Sequence, residues 1–171
     1  MKKLNLIKCK KISLIITDVD GVLTDGSRYY SEQGEIMKKF HVRDGMGVNI
    51  LLRNGIKTVI LTKENSKIVV KWAKEMNVSK VYSGKKNKEN ELSKICKFYS
   101  LTPDQIAYIG DDVNDLTLMK QVGFSATPHD GISSAKKCAD YVCKVNGGKG
   151  AFREIVDLIL SLKFKNNINW Y

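Results

Sequence analysis

The stretch Ile12-Ser13-Leu14-Ile15-Ile16-Thr17-Asp18-Val19-Asp20-Gly21 governs how the rest of the chain is read. Its first six residues form a short run rich in β-branched and apolar side chains, the kind that fills a buried central strand. Two aspartates and a glycine follow at once. If the chain stays extended past the strand, Asp18 and Asp20 project to one side and Val19 to the other. Two carboxylates held together repel, so the pair needs a cation or a shared proton.

Outward from this strand the pattern alternates strand and helix, which predicts a parallel sheet covered by helices. Arg28 to Tyr30 and Ile36 to Phe40 read as two short strands around Glu32-Gln33-Gly34, hence a hairpin. A helix is expected from near Asp44 to Gly55, then a buried strand over Lys57 to Leu61. Asn65 or Ser66 caps a second helix whose inner face is Ile68, Val69, Trp72, Ala73 and Met76. Val81-Tyr82 is a short strand and Lys88 to Tyr99 a helix. Ile106 to Ile109 is a strand running into Gly110-Asp111-Asp112. A helix through Leu116 to Met119, a small strand over Gly123 to Ala126 and a last helix near Ala151 to Leu162 complete the series.

Length and composition bound the answer. The chain's 171 residues suit one compact domain and its 43% hydrophobic content an ordinary globular core. No apolar run approaches the roughly 20 residues that span a bilayer. Lysines interrupt the apolar start of Met1 to Lys11, so it reads as a basic lead-in to a strand and not as a signal peptide. Cys9, Cys96, Cys138 and Cys143 show no CxxC spacing and read as free thiols of a reducing cytoplasm. The net charge of +11 is spread along the chain without interleaved aromatics, so no nucleic-acid partner is expected. A solvated surface, or attraction of an anionic substrate, explains it better.

The acids carry the chemistry. Asp18 and Asp20 follow one apolar strand, Thr62 a second, and Asp111 and Asp112 a third. In an open α/β sheet the carboxyl ends of neighbouring parallel strands converge on one crevice. Asp18, Asp20 and Asp111 then make a hard oxygen-rich site suited to Mg2+. Thr62 can donate a hydroxyl hydrogen bond to a phosphate oxygen, and Lys88 can bring positive charge to it. The set fits phosphoryl transfer: Asp18 attacks phosphorus and Asp20 moves protons. Each piece alone has a plainer explanation. Asp44, or the cluster Asp111-Asp112-Val113-Asn114-Asp115, could be no more than turns and helix caps. Only the joint order is specific.

These motifs resemble a known family. Asp18-Val19-Asp20-Gly21-Val22-Leu23-Thr24-Asp25-Gly26, Thr62, Lys88 and Gly110-Asp111-Asp112-Val113-Asn114-Asp115 look like the four motifs of haloacid dehalogenase-superfamily phosphatases. More narrowly they resemble the capless branch of 3-deoxy-D-manno-octulosonate (KDO) 8-phosphate phosphatases. Phe40-His41-Val42-Arg43-Asp44-Gly45, Tyr82-Ser83-Gly84 and Gly147 to Glu154 add to the likeness, which runs from about Ile12 to Leu160.

The resemblance implies a Rossmann-like, three-layer α/β fold with a mostly parallel sheet. A protruding β-hairpin, about residues 25–40, takes the place of a cap, and a C-terminal helix and tail span about 149–171. It implies a cytoplasmic homotetramer, with four hairpins forming a central barrel, and hydrolysis of a 2-keto-3-deoxy sugar acid phosphate. Asp18 and Asp111 would bind magnesium through side chains and Asp20 through its backbone carbonyl, with Asp112 and Asp115 in support. Thr62 and Lys88 would hold the phosphate. His41, Val42, Arg43, Asp44, Gly45 and Asn114 would contact substrate, and the C-terminal segment of one subunit can close a neighbour's site, so that Gly147 to Arg153 have either that role or only that of a loop and helix start.

Three positions depart from the branch. Lys63-Glu64 follow Thr62 where these phosphatases carry Gly-Arg, and arginines expected near Asn49 and Trp72 are absent. Arg43-Asp44-Gly45-Met46-Gly47 and Thr62-Lys63-Glu64-Asn65 look closer to relatives linked to nine-carbon sugar acids. The alternative is therefore an acylneuraminate 9-phosphate phosphatase, or a non-catalytic assembly module partnered with an acylneuraminate cytidylyltransferase.

Overall fold

The computed structural model describes residues 7–165 and 167–171. Its centre is β1 (Leu14–Thr17), all four residues of which are buried. β1 pairs in parallel with β4 (Lys57–Leu61) on one side and β6 (Ile106–Ile109) on the other. β5 (Lys80–Tyr82) extends the sheet beyond β4. β7 (Phe124–Thr127) and β8 (Tyr141–Val142) extend it beyond β6. The order β5-β4-β1-β6-β7-β8 is parallel throughout, as the alternating pattern predicts.

Side chains along the strands point alternately to two covered faces. Ile15, Ile60 and Ala107 pack with α1 (Val42–Arg53), α2 (Lys67–Glu75) and α6 (Ala151–Phe164). Leu14, Ile16, Val59, Leu61 and Tyr108 pack with α3 (Leu92–Tyr99), α4 (Leu116–Gln121) and α5 (Ser133–Cys138). Both faces are apolar, so the strands read as unbroken hydrophobic runs.

The hairpin stands apart from this sandwich. Among the described residues, β2 (Tyr29–Ser31) and β3 (Gly34–Met37) pair only with each other, in antiparallel register with Ser31 opposite Gly34. Phe40 stacks on Trp72 of α2, with ring centroids 4.5 Å apart, and this fastens the hairpin's base to the sandwich. Tyr29, Tyr30, Ile36 and Met37 remain exposed on it.

Several boundaries differ from the sequence expectation. The segment from Lys88 splits into a tight 3-10 turn over Lys88–Glu91 followed by α3, a common way for a helix to begin. The basic lead-in to β1 includes a helical turn over Ile7 to Cys9, while Met1 to Leu6 lie outside the described residues. α5 and β8 have no counterpart in the sequence reading, because elements of six and two residues are too short to display a period. Among the described residues, no helix is long and apolar enough to cross a membrane. All four cysteines are free thiols.

Candidate active site

Parallel register places the reactive residues side by side. Thr17 pairs with Ile60 of β4 and Ile109 of β6, so the next residues of all three strands emerge at one edge. The edge forms a cleft of about 180 Å³. Asp18, Asp20, Thr62, Asp111, Asp112 and Asn114 line it, joined by Arg28, Lys63 and Glu64. Gly21 turns the chain away after Asp20 with φ +91°, and a Cβ there would lie 2.1 Å from an Asp111 carboxylate oxygen. Only glycine lets the two acidic segments approach this closely.

Lys88 sits behind Asp18, fully buried. Its Nζ donates to Asp18 Oδ2 at 2.9 Å, to Asp115 Oδ1 at 2.6 Å and to the Tyr108 hydroxyl at 3.2 Å. Burial alone would push the Lys88 ammonium down, but the carboxylates of Asp18 and Asp115 more than offset it and its pKa lies above the ordinary value. Asp115 is saturated. Its Oδ1 also accepts from Tyr108 at 2.5 Å, and its Oδ2 accepts the backbone N–H groups of Asp111 and Asp112 at 2.8 and 3.2 Å. Asp112 caps the following turn through its Oδ1, which accepts from the Val113 N–H at 2.7 Å.

The site is short of positive charge. Carboxylate oxygens of Asp18, Asp111 and Asp115 lie within 4.8 Å of one another, with the Lys88 ammonium as their shared counter-charge. Burial first, opposed by Lys88 and reinforced by Asp115, pushes the Asp18 carboxyl up to about 7. Burial and the charges of Asp18 and Asp115 push Asp111 up to about 8. Asp111 Oδ1 is buried and has no hydrogen-bond donor among the described residues. Three carboxylates against one ammonium leave two negative charges, which a divalent cation with oxygen ligands would balance. With Asp115 spent on four hydrogen bonds, the side chains left to hold such an ion are Asp18 and Asp111. The Asp20 carboxylate points elsewhere, to Lys38 at 2.5 Å.

The remaining expected substrate contacts fall outside this cleft. His41 is the N-cap of α1, its Nδ1 accepting from the Arg43 N–H at 3.3 Å. Val42 is 82% exposed. Gly45 is where α1 meets α2: a Cβ there would lie 2.4 Å from Met76 Sδ. Asp44 is fully buried, and its Oδ1 accepts the Arg153 N–H at the start of α6 at 2.8 Å. Burial pushes its carboxyl up to about 6, against the pull of the α6 backbone donors. Arg43 lines a second cleft of about 440 Å³ with Lys149, Gly150 and Arg153. The C-terminal tail lies along its own chain's α1: Arg53 donates to the Trp170 carbonyl, and Asn54 exchanges two hydrogen bonds with the Asn169 backbone.

Arg28, Lys38 and Glu35, all from the hairpin segment, reach the site without having been anticipated. No local pattern marks them among 29 basic and 18 acidic residues.

Comparison with known proteins agrees with this geometry. Residues 55–155 match the haloacid dehalogenase-like hydrolase family. The 3-deoxy-D-manno-octulosonate 8-phosphate phosphatase of Haemophilus influenzae is 38% identical over 161 residues, which are 94% of this chain and 89% of that protein. The cobalt-bound form of the Haemophilus influenzae enzyme superimposes with a TM-score of 0.90 at 39% identity, covering 92% of each chain. The corresponding phosphatase of Moraxella catarrhalis, solved with a magnesium ion, a phosphate ion and a KDO molecule, gives 0.92 at 34% identity, covering 95% of this chain and 94% of that one. Alike in sequence and fold over nearly its whole length, the chain is a phosphoric monoester hydrolase and belongs to the haloacid dehalogenase-like hydrolases, in the 3-deoxy-D-manno-octulosonate 8-phosphate phosphatase family.

Proposed function

We propose that the enzyme converts KDO 8-phosphate to KDO and inorganic phosphate through a covalent phosphate ester of Asp18. The observation that carries this reading is the meeting of Asp18, Lys88, Thr62 and Asp111 at the carboxyl ends of three neighbouring strands. Asp18 and Asp111 side chains, with the Asp20 carbonyl, would hold Mg2+, which supplies positive charge against the phosphoryl oxygens.

In the first step an Asp18 oxygen attacks phosphorus. The bond from phosphorus to the sugar oxygen breaks, its electron pair leaves with the sugar, and Asp20 donates a proton to that oxygen. In the second step water attacks the aspartyl-phosphate, Asp20 takes the water's proton, and phosphate leaves with Asp18 restored. The Thr62 hydroxyl and the Lys88 ammonium steady the phosphoryl oxygens. Lys88 already has three acceptors, so it reaches phosphate by exchanging one of them. Asp18, the longer of its two carboxylate contacts, is the one to exchange.

Asn114 faces the cleft and is assigned to the substrate. Of the His41 to Gly45 stretch, Arg43 presents an exposed charge, whereas Asp44 and Gly45 are committed to packing. The names of the most similar relatives favour the eight-carbon acid over an acylneuraminate 9-phosphate and over an assembly role beside a cytidylyltransferase. The exposed apolar residues of the hairpin support association of copies of the chain through this surface, for which we infer a homotetramer.

The test is phosphate release from KDO 8-phosphate, from acylneuraminate 9-phosphates and from simple sugar phosphates, with magnesium and after chelation. KDO 8-phosphate should be turned over with the highest kcat/KM, only with the metal, and Asp18→Asn should lower kcat by more than about 10⁴-fold. Preference for a nine-carbon substrate would overturn the assignment of the sugar. Undiminished turnover in Asp18→Asn would overturn the mechanism.

A further inference from the structure

Lys38 follows β3 on the hairpin, and its side chain is fully buried. Its Nζ lies 2.5 Å from Asp20 Oδ1 and 2.8 Å from Glu35 Oε1. Glu35 Oε2 in turn accepts from the Ser66 hydroxyl at 2.6 Å, and Ser66 is the N-cap residue of α2. A chain of polar contacts thus runs from Asp20 through Lys38 and Glu35 to Ser66. Asp20 Oδ1 takes a second, longer hydrogen bond from Thr24 Oγ1 at 3.3 Å. Asp20 Oδ2 is shielded from solvent and takes none among the described residues; the Arg28 guanidinium lies 3.7 Å away.

The two oxygens of Asp20 are therefore unequal. One is pinned from outside the motif, and the other keeps its lone pairs. Burying an ammonium is expensive unless it is well paired. Fastening the hairpin does not call for one, because the Phe40–Trp72 stack and the Lys39–Asp25 pair at 2.6 Å already tie its base. What Lys38 adds is a fixed orientation of the Asp20 carboxylate.

We propose that Lys38 is a positioning residue that holds Asp20 Oδ1, so that Oδ2 is the oxygen that passes the proton to the departing sugar and takes one back from water. This rests on the reading of Asp20 as the proton-transfer group. Glu35 and Ser66 act one step further out, by setting where the Lys38 ammonium sits.

Leaving groups separate this role from a merely structural one. An alkyl oxygen needs a proton to depart, whereas 2,4-dinitrophenolate does not. For Lys38→Met, kcat/KM should fall about 10- to 100-fold on the sugar phosphate, the size expected for a misplaced reacting group. On 2,4-dinitrophenyl phosphate it should change by less than about 3-fold. Asp20→Asn should show the same selectivity with a larger loss, and Lys38→Arg should recover part of the sugar-phosphate rate. Lys38→Met/Glu35→Gln removes both buried charges, keeps the bond to Ser66 and carries the same expectation if the single variant does not fold.

An equal loss on both substrates in Lys38→Met, with selective loss in Asp20→Asn, overturns the role of Lys38 and leaves that of Asp20 standing. Equal losses in Asp20→Asn overturn the reading of Asp20 and this inference with it. Failure of both Lys38→Met and Lys38→Met/Glu35→Gln to fold makes Lys38 structural and overturns the proposal.

Discussion

At Asp18 and Asp111 the burial that gathers the acids also opposes their ionisation. Their carboxyls stand near 7 and 8, raised from an ordinary 3.8, chiefly by burial. Each binds its proton more tightly folded than unfolded. Without a cation the protein is free of their charge at low pH, and it loses stability as pH climbs from 3.8 through 7 and 8. A cation must displace these protons, so its apparent affinity rises over the same window, by up to about tenfold per pH unit for each proton displaced. Magnesium should therefore raise the melting temperature more at pH 8 than at pH 6. Paired thermal melts check this, and calorimetry in buffers of different ionisation enthalpy should register the released protons. An equal shift at both pH values would mean that Asp18 and Asp111 are not the ligands.

Among elements, one side chain of α1 caps the start of α6. The N-cap of α6 is Gly150, which offers no side-chain acceptor. Asp44 supplies it from the first turn of α1, through the Arg153 N–H. Asp44→Ala should thus cost about 1 kcal/mol of stability, the usual worth of a lost cap, with part of the loss recovered because a buried carboxyl is removed. Denaturant unfolding measures that cost, and KM for the sugar phosphate should stay within about twofold because Asp44 does not touch the cleft. A large rise in KM with unchanged stability would restore Asp44 to the substrate contacts. The strands and helices that hold the site were legible because the strands are unbroken apolar runs, as in Ile106 to Ile109, and the helices repeat their period, as in Ile155, Val156 and Ile159. Asp44 was not, since an acid in a first turn looks alike whether it caps its own helix or another.

For the whole molecule, the hairpin leaves a group of apolar side chains exposed in the single chain. Ile36 is 60% exposed and Tyr30 59%, with Tyr29 and Met37 beside them. On the proposed tetramer these faces are covered by other copies. Ile36→Glu should shift the protein toward monomer by placing a charge in an apolar contact, and sedimentation equilibrium reads the change directly. Circular dichroism should stay unaltered, because Ile36 is not part of the core. A wild-type protein that sediments as a monomer would remove the hairpin's assembly role.

The sequence by itself determined the doubly covered parallel sheet and the crevice at its carboxyl edge. Apolar runs such as Leu14 to Thr17 and Ile106 to Ile109 can be buried on both faces in few other ways, and an acid follows each within two residues, Asp18 and Asp111. The tertiary structure alone decided how the charges pair. Lys38 meets Asp20 across 18 positions and Lys88 meets Asp115 across 27, while the Asp44 carboxylate takes the Arg153 backbone N–H across 109. Periodicity is a property of neighbours along the chain. An ion pair between distant segments exists only after the sheet and its helices have brought them together, and in this protein those pairings separate the acids that act from the acids that hold.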